Sequence, residues 1–404
     1  MASKASARAS GFRCAECGWT TVKWVGRCGE CQSWSSVAEA GVPTIRTTAT
    51  TSVTLPALRI GQVDVAHAAA RATGVGELDR VLGGGLVPGA VVLVAGEPGI
   101  GKSTLLLDVA ARAARGGQNV LYVSGEESAA QVRMRAERIE AMAATLFLAA
   151  ETDLSTVLGH IEAVQPDLVV VDSVQTVASA QVEGSAGNVS QVREVAATLI
   201  QAAKSRGIAV VLVGHVTKDG SIAGPRVLEH LVDVVVQFEG ERHSRLRLVR
   251  AVKNRYGPTD EVGCFDLSDV GIVGLADPSG LFLSHRDSSV AGTCVTVTLE
   301  GRRPLVAEVQ ALIAPSNLPS PRRATHGLDS SRVAMVLAVL ERRARILVRS
   351  SDAYLSTVGG VRLGEPAADL AVALSVASSV VDAPLPPQAV AFGEVGLAGE
   401  LRPV

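Results

Sequence analysis

The chain has 404 residues, a formal net charge of -2 and a hydrophobic share of 47%, which is enough for two or three domains with packed cores. That charge balance excludes a uniformly basic nucleic-acid coat protein. No apolar run approaches the ~18 residues of a membrane helix, and residues 1–11 lack a signal-peptide core, so a cytoplasmic protein without a membrane partner is expected.

Four of the six cysteines fall in the first 31 residues, and in a reducing compartment such crowding points to metal rather than disulfides. Cys14 and Cys17 form one C-x2-C knuckle, and Cys28 and Cys31 form a second after ten intervening residues. Gly18 and Gly29 sit where tight turns would aim the thiolates at one ion. Two matched knuckles suit tetrahedral structural Zn²⁺, whereas a redox pair is the rival reading. Trp19, Trp24 and Trp34, all the tryptophans of the chain, are expected to pack a module too small for an ordinary core. Residues 35–70 carry Ser, Thr, Ala and Pro without sustained periodicity and read as a linker.

From residue 73 a glycine-rich approach leads into an unbroken apolar run at 90–95, the pattern of a buried parallel strand. It breaks at Gly96-Glu97-Pro98-Gly99-Ile100-Gly101-Lys102-Ser103-Thr104, which fits the phosphate-loop pattern G-x4-G-K-[ST], and an alanine-rich helix is expected from 103 to about 115. Glycines let backbone N–H groups curl around an anion, and the helix N-terminus adds partial positive charge. Lys102 is placed to reach the β- and γ-phosphates of ATP, and the Ser103 hydroxyl to hold Mg²⁺.

Strands and helices then alternate: strand 119–123, helix 129–142, strand 167–171, helix 189–204, strand 208–213. Alternation of this kind predicts a mostly parallel sheet with helices on both faces. In such a sheet ligands sit beyond the carboxyl ends of the strands. Asp172 ends Leu-Val-Val-Val-Asp as a Walker B carboxylate for Mg²⁺. Glu126 ends another strand as the group that polarises attacking water, with Glu127 the adjacent candidate, and acids favoured at a helix N-terminus are the plainer alternative. His215 ends a third strand, where a γ-phosphate sensor would stand.

Successive strands at 232–238, 245–252, 261–267 and 271–273 predict an antiparallel extension. Arg245, Arg247, Lys253 and Arg255 alternate with Leu246, Leu248 and Val252, and a solvated strand face accounts for the first two. Lys253-Asn-Arg255-Tyr-Gly suits a reach towards another subunit's phosphate. Further on, a strand is expected at 304–313, a helix capped at Asp329/Ser330, a second helix opening on Pro366 and running to 381, and a strand–turn–strand ending.

Taken in order, the four-cysteine finger, Gly-Glu-Pro-Gly-Ile-Gly-Lys-Ser, Ser-Gly-Glu-Glu-Ser, Gly-His-Val-Thr-Lys-Asp-Gly, Lys-Asn-Arg-Tyr-Gly and Gly-Gly-Val-Arg-Leu-Gly-Glu-Pro-Ala-Ala-Asp-Leu-Ala resemble the bacterial RadA (Sms) family of DNA repair proteins, from Cys14 to Val404. The resemblance implies a RecA-like P-loop NTPase core with a mostly parallel sheet, an N-terminal zinc finger and a C-terminal Lon-protease-like α+β domain. It implies a homohexameric ring whose DNA-stimulated ATP hydrolysis drives translocation on single-stranded DNA. It further implies branch migration of recombination intermediates together with RecA, on single-stranded and branched DNA. The family's Lys-Asn-Arg-[Phe/Tyr]-Gly motif falls on Lys253–Gly257 and makes Lys253 and Arg255 catalytic alongside Lys102, Glu126 and Asp172. Where Lon-type proteases place Pro-Ser-Ala-Gly, this chain has Pro366-Ala367-Ala368-Asp369, so no nucleophile is expected at Ala367. The partner lysine would lie beyond Val404, and the chain stops short of the usual family length, as if the final helices were missing.

The expected organisation is therefore a zinc finger at 1–34, a linker at 35–70, an ATPase domain at 71–275, a connector at 276–300 and a Lon-like domain at 301–404. Loops 179–188 and 218–226 are candidate DNA contacts. A RecA-type strand-pairing recombinase and a non-catalytic peptide-binding scaffold are the alternative functions.

Overall fold

A computed structural model describes residues 11–39, 59–62, 68–215, 227–240, 245–268, 271–283 and 290–404. The candidate DNA loop 218–226 and most of the expected linker lie outside the described residues. The chain forms two compact units, Met1–Asp64 and Val65–Val404.

In the first unit, β1 (Phe12–Cys14) is flanked antiparallel by β2 (Thr20–Thr21) and β3 (Val37–Glu39). Cys14, Cys28 and Val37 are buried, with Phe12, Trp19 and Val25 packed against them. The tryptophans divide, contrary to the sequence expectation. Trp19 lies so close over Gly29 that a Cβ there would meet its ring at 2.9 Å, but Trp24 and Trp34 are 64% and 73% exposed. Three strands of two or three residues enclose room for one indole. Trp34 instead stacks under the Arg27 guanidinium, 5.4 Å from its centroid.

The second unit is built on a nine-stranded sheet. Its elements run α1 (Gly76–Leu82), β4 (Val91–Gly96), α2 (Lys102–Arg115), β5 (Val120–Ser124), α3 (Ala129–Arg138), β6 (Leu146–Ala150), α4 (Leu154–Val164), β7 (Leu168–Asp172), α5 (Val189–Arg206), β8 (Ala209–His215), α6 (Val227–Leu231), β9 (Val234–Glu239), β10 (Leu246–Asn254), β11 (Val262–Ser268) and β12 (Gly271–Gly274). The spatial order is β12-β11-β10-β9-β4-β8-β7-β5-β6. The six strands from β9 to β6 are parallel, and β10 to β12 add an antiparallel extension. Every residue of β4, β5 and β7 is buried, because helices cover both faces. One core holds apolar residues of α1, α2 and α3, the other those of α4 and α5.

Local chemistry explains the helix limits. Ser128 and Gln131 form a capping box that starts α3. The helix stops at Arg138 rather than 142, because Glu140 adopts a left-handed φ of 55°. Asp153 caps α4 by accepting the Thr156 N–H. Neither α4 nor β6 was legible as an element. β6 is an edge strand with only Ala149 buried, so its five residues carry no period.

The C-terminal part adds a four-stranded sheet of β13 (Thr293–Glu300), β14 (Arg303–Pro315), β15 (Arg323–His326) and β16 (Ser351–Thr357), ordered β13-β14-β16-β15. Helices α7 (Ser330–Val339) and α8 (Asp369–Val381) contribute to its core, and the hairpin β17 (Glu394–Val395)/β18 (Leu401–Arg402) ends the chain. The expected connector 276–300 contains β13, which pairs with β14 from Thr293↔Gln310 to Glu300↔Arg303. Its inward positions are Cys294, Thr296 and Thr298, and threonines facing a core read as loop polarity in the sequence.

Leu246 and Leu248 of β10 pack against this C-terminal core, which includes Cys264. Arg303 lies buried against the Glu77 carboxylate and donates to the carbonyls of Leu275 and Ala276. Glu77 also accepts the Cys264 N–H at 2.9 Å. Removing one partner of such a pair leaves an uncompensated charge, at a cost of about 3–5 kcal/mol.

Candidate nucleotide site

The phosphate loop joins β4 to α2. Gly96 is required by crowding, since a Cβ there would stand 2.8 Å from the Phe238 Cβ. Gly101 is required by its backbone, with φ 111° at the N-cap of α2. The loop therefore turns tightly enough to aim its N–H groups beyond the strand end.

Lys102 is 4% exposed, and its ammonium folds back to donate to the carbonyls of Gly96 at 2.8 Å and Glu97 at 2.9 Å. Burial pushes its pKa down to about 8, against the opposing pull of Asp172, Glu126 and Glu97. A buried cation whose hydrogen bonds among the described residues go to two neutral carbonyls suits an incoming polyphosphate. Asp172, at the end of β7, is buried and accepts the Tyr122 hydroxyl at 2.6 Å. Glu126, just past β5, accepts the Ser173 hydroxyl at 2.6 Å and stands 2.7 Å from His215 Nε2. Burial raises the Glu126 pKa, but those hydrogen bonds and the Lys102 charge outweigh it and hold the carboxyl below its ordinary value.

The structure thus brings Lys102, Asp172, Glu126 and His215 to one end of four neighbouring parallel strands. Glu127 faces away, with its carboxylate held by Arg135. Ser103 and Thr104 stand in the first turn of α2, directly after Lys102.

Lys253 and Arg255 lie elsewhere. Lys253 pairs with Val235, and Val235 pairs with Leu93, three residues back along β4 from Gly96, or ~10 Å at ~3.3 Å per residue. Arg255 is further back, bonded to Asp233 O, while Asp233 N bonds to Val91 O. Lys253 donates to the carbonyls of Glu229 and Val232 at 2.8 and 2.7 Å, and Arg255 pairs with the buried Asp233 carboxylate at 2.8 Å.

The solvated-face reading of the two earlier arginines holds for Arg245, which is exposed and paired with Asp266, and fails for Arg247. Arg247 is buried and donates from Nε to Ile100 O in the phosphate loop at 3.2 Å. Arg247, Val249 and Ala251 form the buried face of β10, and a register shift between Ala251 and Lys253 then breaks the alternation that the sequence implied. Tyr122, Ser173 and Arg247 were all missed as site residues. The sequence carried a signal only for Tyr122, a lone phenol in a strand of otherwise valine, leucine and serine.

In the N-terminal unit the four cysteine Sγ atoms lie within 4.8 Å of one another, with Cys14···Cys31 at 3.7 Å and Cys17···Cys28 at 3.5 Å. A tetrahedral ion with Zn–S of ~2.3 Å needs S···S separations of ~3.8 Å, so the set fits Zn²⁺.

A buried loop lysine facing strand-end carboxylates, together with a four-thiolate ribbon, defines a zinc-ribbon ATPase of the phosphate-loop class. Two family descriptions match accordingly: "AAA domain" over residues 56–221 and "Rubredoxin metal binding domain" over residues 12–39. The chain is 56% identical over 403 residues to the DNA repair protein RadA of Mycobacterium tuberculosis H37Rv, covering 98% of this chain and 83% of that protein. It is 56% identical over 405 residues to that of Mycolicibacterium smegmatis (98% and 87%) and 47% identical over 397 residues to that of Streptococcus pyogenes serotype M1 (97% and 87%). The chain belongs to the DNA repair protein RadA family. Among solved structures, a RadB recombinase is similar with a TM-score of 0.40 and 24% identity, over 50% of this chain and 98% of that one. No described helix is long and apolar enough to cross a membrane.

Proposed function

We propose that this chain is a DNA-dependent ATPase and helicase that works as a hexameric ring, translocates on single-stranded DNA and promotes branch migration with RecA in the cytoplasm. The convergence of Lys102, Asp172, Glu126 and His215 at the strand ends is the observation that supports this most. In this reading Lys102 neutralises the transferring γ-phosphate, Glu126 orients the attacking water, and His215 and Ser173 hold the Glu126 carboxylate in place. Ser103 and Asp172 would hold Mg²⁺, which supplies positive charge to the β- and γ-phosphate oxygens. Loop 179–188 leaves the end of β7 and is organised by the buried Gln191, which donates to Ser179 O and Gly184 O and accepts the Ser179 N–H. A DNA strand against that loop would act on the segment that follows Asp172 and Ser173, whose hydroxyl holds the Glu126 carboxylate; the other candidate, 218–226, lies outside the described residues.

The Lon-like reading of 301–404 belongs to the same proposal, as an assembly and DNA-contact domain without protease chemistry. Ala367 offers no nucleophile, and Asp369 is paired with Arg332 and accepts the Val395 N–H. Ser375, Ser378 and Ser379 are spent on backbone partners: Ser375 and Ser378 donate to Val372 O and Ala383 O, and Ser379 accepts the Ile313 N–H.

The test is a synthetic three-stranded branched DNA incubated with ATP. Branch movement with ATP, and none with a non-hydrolysable analogue, is expected. Pairing of free homologous strands in the absence of RecA would instead support the recombinase alternative.

A further inference from the structure

Tyr122 is the single phenol in the parallel part of the large sheet, and it is 1% exposed. It pairs across the sheet with Val170, two residues short of Asp172, which lets its ring run up beneath the Asp172 carboxylate. Its hydroxyl reaches Oδ2 at 2.6 Å. A carboxylate oxygen accepts and a phenol O–H donates, so Tyr122 is the donor of this bond. Among the described residues Oδ2 carries this bond and no side chain holds Oδ1, and the Asp172 charge acts on the Lys102 ammonium. Arg135 from α3 also acts on the phenol, and Arg135 is itself held by Glu127.

Resting on the nucleotide reading of this site, we propose that Tyr122 is a positioning residue for the divalent cation of the ATP complex: its buried hydroxyl fixes the rotamer of Asp172, so that one carboxylate oxygen is tied down and the other is presented towards the phosphate loop. A carboxylate near a helix N-terminus and a lysine has several rotamers within reach, and some would pair with Lys102 instead of an ion. A charge-assisted hydrogen bond from an immobile ring removes that freedom. Outer partners that orient metal-ligating groups typically change ion affinity 10–100-fold when lost.

The experiment uses the full chain with Tyr122→Phe, which keeps the ring and its packing. The readout is binding of a fluorescent ADP analogue titrated with Mg²⁺ and, separately, with Mn²⁺. The half-saturating Mg²⁺ concentration is expected to rise ~10-fold, while nucleotide binding in chelator alone stays as in the unsubstituted protein. In an Asp172→Asn background, Tyr122→Phe should cause no further shift, because its effect runs through that carboxylate. An unchanged Mg²⁺ midpoint in Tyr122→Phe, with normal ion dependence in the unsubstituted chain, overturns the proposal alone. An equal shift in the Asp172→Asn background overturns it too, showing a general loosening of the sheet. Nucleotide binding that ignores divalent ions in the unsubstituted chain overturns both the nucleotide reading and the proposal.

Discussion

Lys102→Ala is expected to reduce kcat for ATP hydrolysis by ~10²-fold or more, with nucleotide binding weakened as well. Lys102 is the loop's single cation, and its ammonium rests on Gly96 O and Glu97 O. A polyphosphate would replace those neutral acceptors with charged ones, and the gain would grow as charge develops on the transferring phosphoryl group. The change should act on function rather than folding. Burial already depresses the Lys102 pKa to about 8, so the charged form is the costly one in the folded protein. Below pH 8 that cost is fully present, and it fades as pH rises from 8 towards the unfolded value near 10.5. Alanine removes it, so the variant should melt no lower than the unsubstituted chain near neutral pH. Steady-state hydrolysis at saturating ATP checks the prediction, and unsubstituted turnover in the variant would remove the phosphate-loop assignment.

The second large effect concerns Lys253 and Arg255, and geometry makes it specific. Both stand well down the sheet from the chain's own loop, with β9 between β10 and β4. Their distance from the loop argues against a role at the chain's own site. In the proposed ring these cations would act on a neighbour, where a cation supplied in trans can contribute ~10³-fold or more to the rate. Their partners are local and breakable: Lys253 caps carbonyls at the end of α6, and Arg255 shares Asp233 with Lys204. Lys102→Ala and Lys253→Ala should each be inactive alone, and mixing them under conditions of subunit exchange should restore part of the activity. Some interfaces in a mixed ring then pair an intact loop with an intact neighbouring lysine. No recovery, with exchange demonstrated, would end the proposal.

What the sequence showed best was chemistry fixed by spacing. The phosphate-loop pattern, the two knuckles and the strand-end acids are each a short run recognisable from residue type and spacing, so they can be read without knowledge of the fold. Strand β4 was legible because six buried residues in a row leave few other readings. What stayed hidden depends on tertiary partners. β6 has a single buried residue, β13 turns threonines inward, and Arg247 reads as surface until Ile100 is seen to accept from it. The choice between Glu126 and Glu127 was likewise open from sequence, because both follow the same strand. Arg135, eight residues along, takes up Glu127, while His215 and Ser173 meet Glu126. The tryptophans were misjudged for a similar reason: small size argued that all three pack, but the ribbon closes around Trp19 alone.

We propose that ATP hydrolysis at the Lys102 site is coupled to a DNA strand. This coupling is tested most directly by measuring hydrolysis by the full chain with and without single-stranded DNA, in parallel with Lys102→Ala. The expected result is a rate that rises severalfold on adding the strand, and that is lost in the variant under both conditions. A rate identical with and without DNA, while the same preparation demonstrably binds the strand, would contradict the claim.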